Sequence, residues 1–401
     1  MANDKLYNLL HHIPMRIVFL SNFYNHHQGP LSESMNRLTE GNYHFIETEP
    51  IQAERENMGW GIANYPHYVR RLYDNENERA FCKRLIDEAD VVITGSAPEY
   101  LIKGRLKKNK LTFRYSERIY KAGCKRYELP ARRILYHFRH GRYDNLYLLC
   151  ASAYTASDYA KTGTFLNKAY KWGYFPEVKQ YKNIDSLISN KKQNSILWVA
   201  RFIGYKHPET CIQIGRRLRD EGYQFEINLI GNGINEAEVQ SLIDANNLQN
   251  FVHLLGAMPP DKVREHMETA GIFLFTSDFN EGWGAVLNES MNSGCAVVAS
   301  HAIGSVPFLI KHDKNGLIYQ NGNLEDLYQK VKWLLDDPSK QKKFGKQAYK
   351  TMVNHWNADL AAERFIQLAQ EILNGNKSPD LFPVGICSKA EIIKNDWWTY
   401  A

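Results

Sequence analysis

The 401-residue sequence predicts an α/β protein made of two doubly wound, Rossmann-like domains. Short β-rich runs alternate with helical stretches along most of the chain. A polar, charged segment interrupts that alternation near its middle. The length also exceeds what one hydrophobic core usually supports, which favours two domains.

The run MRIVFLS at 15–21 is the first strand, followed by the turn NFYNHHQGP and a helix, LSESMNRLTE, with Pro30 or Ser32 near its start. DVVITGS at 90–96, LTFRYS at 111–116 and LYLLCAS at 146–152 repeat the strand pattern, which gives a first domain over 1–176 with an ordered core from residue 15. The charged stretch 177–194 reads as the linker. SILWVAR at 195–201, FEINLIG at 225–231, FVHLLG at 251–256, IFLFTS at 272–277 and AVVAS at 296–300 supply the strands of a second domain over 195–355. Helical patterns such as PETCIQIGRRLRDEG and PPDKVREHMETAG separate them. The segment 356–401 begins with a strong helix, with Asn357 or Asp359 at its start and Gly375 at its end. The tail after it is apolar at Leu381, Phe382, Ile392 and Ile393, so 356–401 is expected to cross over and pack on the first domain.

Composition narrows the setting. The six cysteines are scattered without a C-x-x-C pair or a His/Cys cluster at zinc spacing, which favours a reducing compartment. The opening MANDKLYNLLHHIP lacks the apolar run of a secretory signal, and 18 consecutive apolar residues occur nowhere. A cytoplasmic protein is expected, with peripheral attachment to the inner face of the plasma membrane. Fourteen Lys/Arg against Glu117 and Glu128 crowd 103–142. Within that block ARRILYHFRHGR sets Ile134, Leu135 and Phe138 beside Arg132, Arg133, Arg139 and Arg142, the mixture of an interfacial helix. The partner expected for the block is an anionic membrane surface rather than nucleic acid.

The richest stretch for chemistry is TSDFNEGWGAVLNESMNSGCAVVAS. If Gly282 to Gly284 form the turn after strand 272–277, Glu281 and Glu289 face opposite ends of a diphosphate ligand at the sheet's C-terminal edge. Carboxylates there suit the vicinal hydroxyls of a sugar and a ribose. The plainer alternative is a surface helix with two solvated acids, which the glycines and the flanking strands argue against. In WVARFIGYKHPE, Arg201 and Lys206 bring two cations to the same edge, able to neutralise a leaving diphosphate. Taken alone, that loop could equally carry two solvated cations. GNG at 231–233 has Glu236 where the third glycine of a dinucleotide fingerprint belongs, so it reads as a tight turn. No D-x-D, P-loop or G-x-S-x-G motif occurs, and neither metal nor cofactor is expected.

These motifs resemble those of the retaining glycosyltransferases of family 4 (glycosyl transferases group 1), whose fold is GT-B, with the active site in the cleft between two Rossmann-like domains. VARFIGYKHPE, LIGNG, the stretch from LLGAMPPDKVREHMETAG to AVVAS and HWNADLAAERF carry the resemblance over roughly 195–373; MRIVFLS with Gly29, DVVITGS and LLCASAYTASDYAKTG carry it more loosely over 15–176. The resemblance implies that Arg201 and Lys206 bind the donor diphosphate, Glu289 the ribose, and Glu281 the transferred sugar. It implies further that the backbone of Gly282, Trp283, Gly284, Ala285 and Val286 holds sugar and phosphate, that Gly256, Ala257 and Met258 flank the base, and that Gly29 admits the phosphates. The family's usual Gly-Gly is here Gln28-Gly29-Pro30. Where the family commonly has a histidine after strand 111–116, this chain has Ser116, Glu117 and Arg118, leaving Glu117 as the candidate to place the acceptor. SVPFLI at 305–310 also lacks the glutamate that often follows the proline. The implied activity is metal-independent transfer of a hexose, with retention, from a nucleoside-diphosphate sugar to a glycan or lipid-linked acceptor in bacterial cell-surface polysaccharide synthesis. UDP is favoured as the nucleotide and GDP comes second. A sugar-nucleotide epimerase on the same fold and a catalytically silent binding subunit are the alternatives.

Overall fold

A computed structural model describes residues 15–52, 61–62, 64–121 and 123–400; the opening segment 1–14, read above as no secretory signal, lies outside them. The strands among the described residues form two all-parallel sheets. The first contains β1 (Ile17–Ser21), β2 (Tyr43–Glu47), β3 (Val69–Arg71), β4 (Val91–Thr94), β5 (Thr112–Ser116), β6 (Leu146–Cys150) and β7 (Ala169–Lys171), in the order β3-β2-β1-β4-β5-β6-β7. The second contains β8 (Lys192–Val199), β9 (Glu226–Ile230), β10 (Val252–Leu254), β11 (Ala270–Phe275), β12 (Ala296–Ser300) and β13 (Leu317–Tyr319), in the order β10-β9-β8-β11-β12-β13. Every strand named from the sequence is present. The strands β2, β3, β7 and β13 were missed, and three of them run for only three residues, too few to show a period.

Parallel strands are covered on both faces, so they need apolar residues throughout rather than alternation. That is why β1, β4, β6, β11 and β12 are buried along their whole lengths. In each sheet the winding reverses next to the first strand, between β1 and β4 and between β8 and β11. The C-terminal ends of strands at such a reversal frame a ligand crevice. The loops after β1, β5, β8 and β11 lie there.

The stretch read as linker carries a short helix, Ile184–Ser189, capped by the Asn183 side chain, and β8 starts at Lys192, ahead of Ser195. The helix Ala358–Leu373 is capped by Asn357, which accepts from the Leu360 N–H at 2.9 Å. Its Asp359 accepts from Ser34 Oγ at 2.6 Å and Arg37 Nη2 at 2.7 Å in the first domain. Its Phe365 packs on Phe113 and Trp172, a burial worth about 2 kcal/mol. The tail then runs along β7: Lys171 N donates to Ser388 O and Cys387 N to Lys171 O, each at 2.8 Å. Ser157 Oγ donates to Ile393 O at 2.8 Å, and Trp397 Nε1 reaches Tyr154 Oη at 2.8 Å.

One expectation needs correction. Two of the fourteen cations of 103–142 are internal and cannot meet a membrane surface. Arg105 is fully buried and donates to the carbonyls of Ile86, Ala89, Asp90 and Leu111, tying a helix to the strand ends beneath it. Arg118 is buried against Asp158, between the rings of Tyr154 and Phe279. A buried guanidinium needs acceptors, which Arg105 finds in four backbone carbonyls and Arg118 in the Asp158 carboxylate. The apolar side chains of the helix Leu129–Tyr136 and the π-helical turn His137–Gly141 do face outward: Ile134 is 63 %, Leu135 50 % and Phe138 57 % exposed.

Candidate active site

β8 delivers the loop that carries both predicted cations. Arg201 lies just beyond the strand, exposed and without an ion-pair partner among the described residues. A 3-10 turn, Gly204–Lys206, then folds the chain back, and the Lys206 carbonyl accepts from Thr276 Oγ1 at 2.6 Å at the end of β11. Thr276 Oγ1 in turn accepts from Trp198 Nε1 at 2.8 Å, so the loop is latched to two central strands. His207 has a left-handed backbone (φ 53°) and bonds Glu209 and Asp278; the Glu209 bond in particular raises its pKa against the opposing effect of burial.

Lys206 Nζ bonds directly to Glu281 Oε2, which also accepts from Ser277 Oγ at 3.0 Å. Glu281 is 8 % exposed, so its charge is held by these two donors. The structure thus joins two residues that the sequence assigned to one site from different segments. The loop after β9 lies alongside. Gly231 and Gly233 have positive φ and press on the backbones of Ala200 and Phe202, where no side chain would fit. Gly231 N donates to Gly256 O at 3.0 Å, which brings Gly256, Ala257 and Met258 beside the Arg201 loop.

Past Glu281 the chain makes the predicted glycine turn before the seven-residue helix Val286–Asn292. Gly284 has φ 83° and packs on the Phe275 ring. The Trp283 indole does not line the cleft. It is fully buried between the domains, stacked on Trp356 at 5.5 Å and Tyr174 at 6.1 Å, with its N–H on Asn288 Oδ1 at 2.9 Å. Its carbonyl accepts from Ser305 Oγ at 2.6 Å. Gly173 gives room for the indole, since a Cβ there would overlap the ring.

The first domain meets this turn through Glu117, just beyond β5. The carboxylate accepts from Tyr174 Oη at 2.8 Å and Lys121 Nζ at 2.9 Å and lies over the Gly282 backbone, where any Cβ would overlap it. Burial and then the Glu117 charge push Tyr174 well above the usual tyrosine range, so it stays a donor. Glu289 faces the loop after β1: His27 Nε2 lies 3.8 Å from its Oε1. Burial raises the Glu289 pKa, but the close approach of His27, with Arg264 and His26 nearby, outweighs it and leaves the carboxyl below its ordinary value. Gly29 opens the helix Gly29–Leu38, and a Cβ there would make only ordinary contact with Tyr24 Oη at 3.5 Å. The fold therefore imposes no steric need for glycine at 29. Sequence reasoning missed His26 and His27, because nothing along the chain connects HH in a turn with a glutamate on a remote helix.

The paired parallel sheets with facing C-terminal edges are the GT-B fold. The UDP complex of HepE from Anabaena is similar over 90% of this chain and 100% of that one, with a TM-score of 0.65 at 14% identity. Sucrose-phosphate synthase from Thermosynechococcus elongatus is similar over the same shares, with a TM-score of 0.62 at 16% identity. Residues 179–351 match the family model described as glycosyl transferases group 1. The amylovoran biosynthesis glycosyltransferase AmsK of Erwinia amylovora is 33% identical over 162 residues, 39% of this chain and 39% of that protein. The N-acetylgalactosamine-N,N'-diacetylbacillosaminyl-diphospho-undecaprenol 4-alpha-N-acetylgalactosaminyltransferase of Campylobacter jejuni is 29% identical over 157 residues, 39% of this chain and 41% of that one. The alignments thus span about two fifths of these relatives' length.

Proposed function

We propose that this chain is a glycosyltransferase that moves a hexose from a nucleoside-diphosphate sugar, UDP-linked in the first instance and GDP-linked in the second, to a glycan or lipid-linked acceptor in bacterial surface-polysaccharide synthesis. The observation that carries this reading is the Lys206–Glu281 pair beside Arg201, at the winding reversal of the sheet inside the segment that matches the family model. Arg201 and Lys206 meet the diphosphate and offset the charge that grows on it as the glycosidic bond breaks. Once phosphate occupies the ammonium, Glu281 is released to accept from sugar hydroxyls, and Glu289 takes the ribose. The Gly256–Met258 loop stands beside the base.

Configuration is retained by a front-face displacement in which the leaving phosphate oxygen takes the acceptor proton, so no protein nucleophile and no metal is needed. Glu117, held by Tyr174 and Lys121 across the cleft from Gly282, orients the acceptor hydroxyl. The outward apolar strip Ile134–Leu135–Phe138, flanked by Arg133, Arg139 and Arg142, rests on an anionic membrane surface from the cytoplasmic side and brings the site to lipid-linked acceptors. No helix among the described residues is long and apolar enough to cross a bilayer.

Incubation with radiolabelled UDP- and GDP-sugars tests the proposal. Slow release of free sugar with retained anomeric configuration, or transfer to added glycan, is expected. Epimerised sugar nucleotide as the product would make the chain an epimerase, and no turnover of any donor would make it a silent binding subunit.

A further inference from the structure

We infer that His26, His27 and Glu289 form a site for a zinc-class transition-metal ion, one that staples the two domains across the cleft. One ring nitrogen of His26, one of His27 and one carboxylate oxygen of Glu289 lie within 4.8 Å of one another. Tetrahedral zinc with bonds of about 2.0–2.1 Å needs its ligands roughly 3.4 Å apart, so contraction by about an ångström completes the set. The His27 Nε2 to Glu289 Oε1 separation is already 3.8 Å.

Consecutive side chains usually diverge, yet the His26 and His27 rings converge, with centroids 4.0 Å apart. The turn that aims them is fixed by Asn25, whose side chain accepts from His27 N at 2.9 Å and whose carbonyl accepts from Gln28 N at 2.9 Å and Gly29 N at 3.1 Å. On the opposite side Arg264 steadies the helix that carries Glu289. Its guanidinium donates to the Glu289 and Glu177 carbonyls, Asn292 Oδ1 and Ser293 Oγ, so the cation nearest the site is spent on oxygen acceptors other than the carboxylate.

Two imidazoles and one carboxylate suit zinc, cobalt or nickel and are a poor set for magnesium or calcium, which take oxygen ligands. The fourth position would hold water. Two ligands come from the loop after β1 and the third from the helix after β11, so an ion here fixes the closed arrangement of the domains. It also occupies the carboxylate that the proposed function gives to the ribose; competition between metal and nucleotide rests on that reading, whereas metal binding does not. The sequence predicts no metal at all, so this site departs from that expectation; on the proposed function an ion here would be inhibitory.

The experiment titrates the full chain with zinc against a chromogenic chelator and, separately, with cobalt while following its visible absorption. One equivalent is expected in the wild type, with at least tenfold weaker binding in His26→Ala and His27→Ala. His27→Cys, which restores a ligand, should recover zinc binding, a result that a merely misfolded turn would not give. Absence of a stoichiometric ion in the wild type, or alanine variants that bind zinc as the wild type does, would overturn the site. Adding UDP should weaken zinc binding at least tenfold; zinc bound equally well with saturating UDP would sink the competition while leaving the metal site standing.

Discussion

The Glu117 carboxylate from the first domain lies directly over the backbone of Gly282 in the second, so closely that residue 282 has no room for a Cβ. The same side chain is held by Tyr174 at 2.8 Å and Lys121 at 2.9 Å. A group fixed on the acceptor side therefore touches the turn that the donor sugar is proposed to use. Gly282→Ala must displace Glu117, and Glu117→Ala removes it. Each substitution should lower transfer at least tenfold, and the double variant should be no worse than the poorer single one, because both act on one contact. Losses that multiply would show that the two residues act independently.

Acid should destabilise the fold through His140. Burial first, then the charges of Arg114 and Arg139, push its pKa down to about 3. Between the unfolded value near 6.5 and 3, the unfolded chain binds a proton that the native state excludes. Stability therefore falls as pH drops through that window, by about 2 kcal/mol from pH 7 to pH 5. His140→Phe keeps the aromatic contacts with Tyr136, Tyr159 and Phe165 and should flatten this slope in urea denaturation. Parallel pH profiles for variant and wild type would count against it.

Membrane attachment should be reversible and salt-sensitive. Each cation near an anionic leaflet contributes on the order of 1 kcal/mol, and the attraction fades within a Debye length of about 10 Å at 0.1 M salt. Because Arg105 and Arg118 are internal, the effect should follow the helix Leu129–Tyr136 and the turn after it. Co-sedimentation with anionic liposomes should fall when Arg132, Arg133, Arg139 and Arg142 are changed to glutamate, and also when Ile134, Leu135 and Phe138 are changed to serine. Equal binding to neutral and anionic vesicles would reduce the strip to a solvated face.

Transfer should survive excess EDTA. The sequence has no D-x-D pair, and the leaving diphosphate is assigned to Arg201 and Lys206 instead. Loss of activity in EDTA with recovery on adding manganese would move the chain to a metal-dependent mechanism.

The fold was legible because parallel strands with two covered faces leave apolar runs such as VVIT and AGIFLF in the sequence. The meeting of Lys206 and Glu281 was legible for a related reason: strand, loop and glycine turn follow one another along the chain, and the topology brings them to one edge. Charge was less readable. Composition could not show that Arg105 and Arg118 are internal, since that depends on carbonyls and a carboxylate supplied by distant segments. The motif assigned only the backbone of Trp283, and nothing in it showed that Gly173, Tyr174 and Trp356 make the indole interdomain core. Nor could the sequence pair His27 with Glu289, because that contact exists only when the two domains face each other.

The most direct test of the donor site is calorimetric titration of UDP and GDP into the wild type, Arg201→Ala and Lys206→Ala. Lys206→Ala leaves Glu281 buried without its cation and costs some stability, whereas Arg201 is exposed and its variant should fold as the wild type does. The wild type should bind one of the two nucleotides at one equivalent, and both variants should bind it at least tenfold more weakly, a loss of about 1.4 kcal/mol or more. If neither nucleotide binds, or if both variants bind as tightly as the wild type, the cleft at Arg201 and Lys206 is not the donor site.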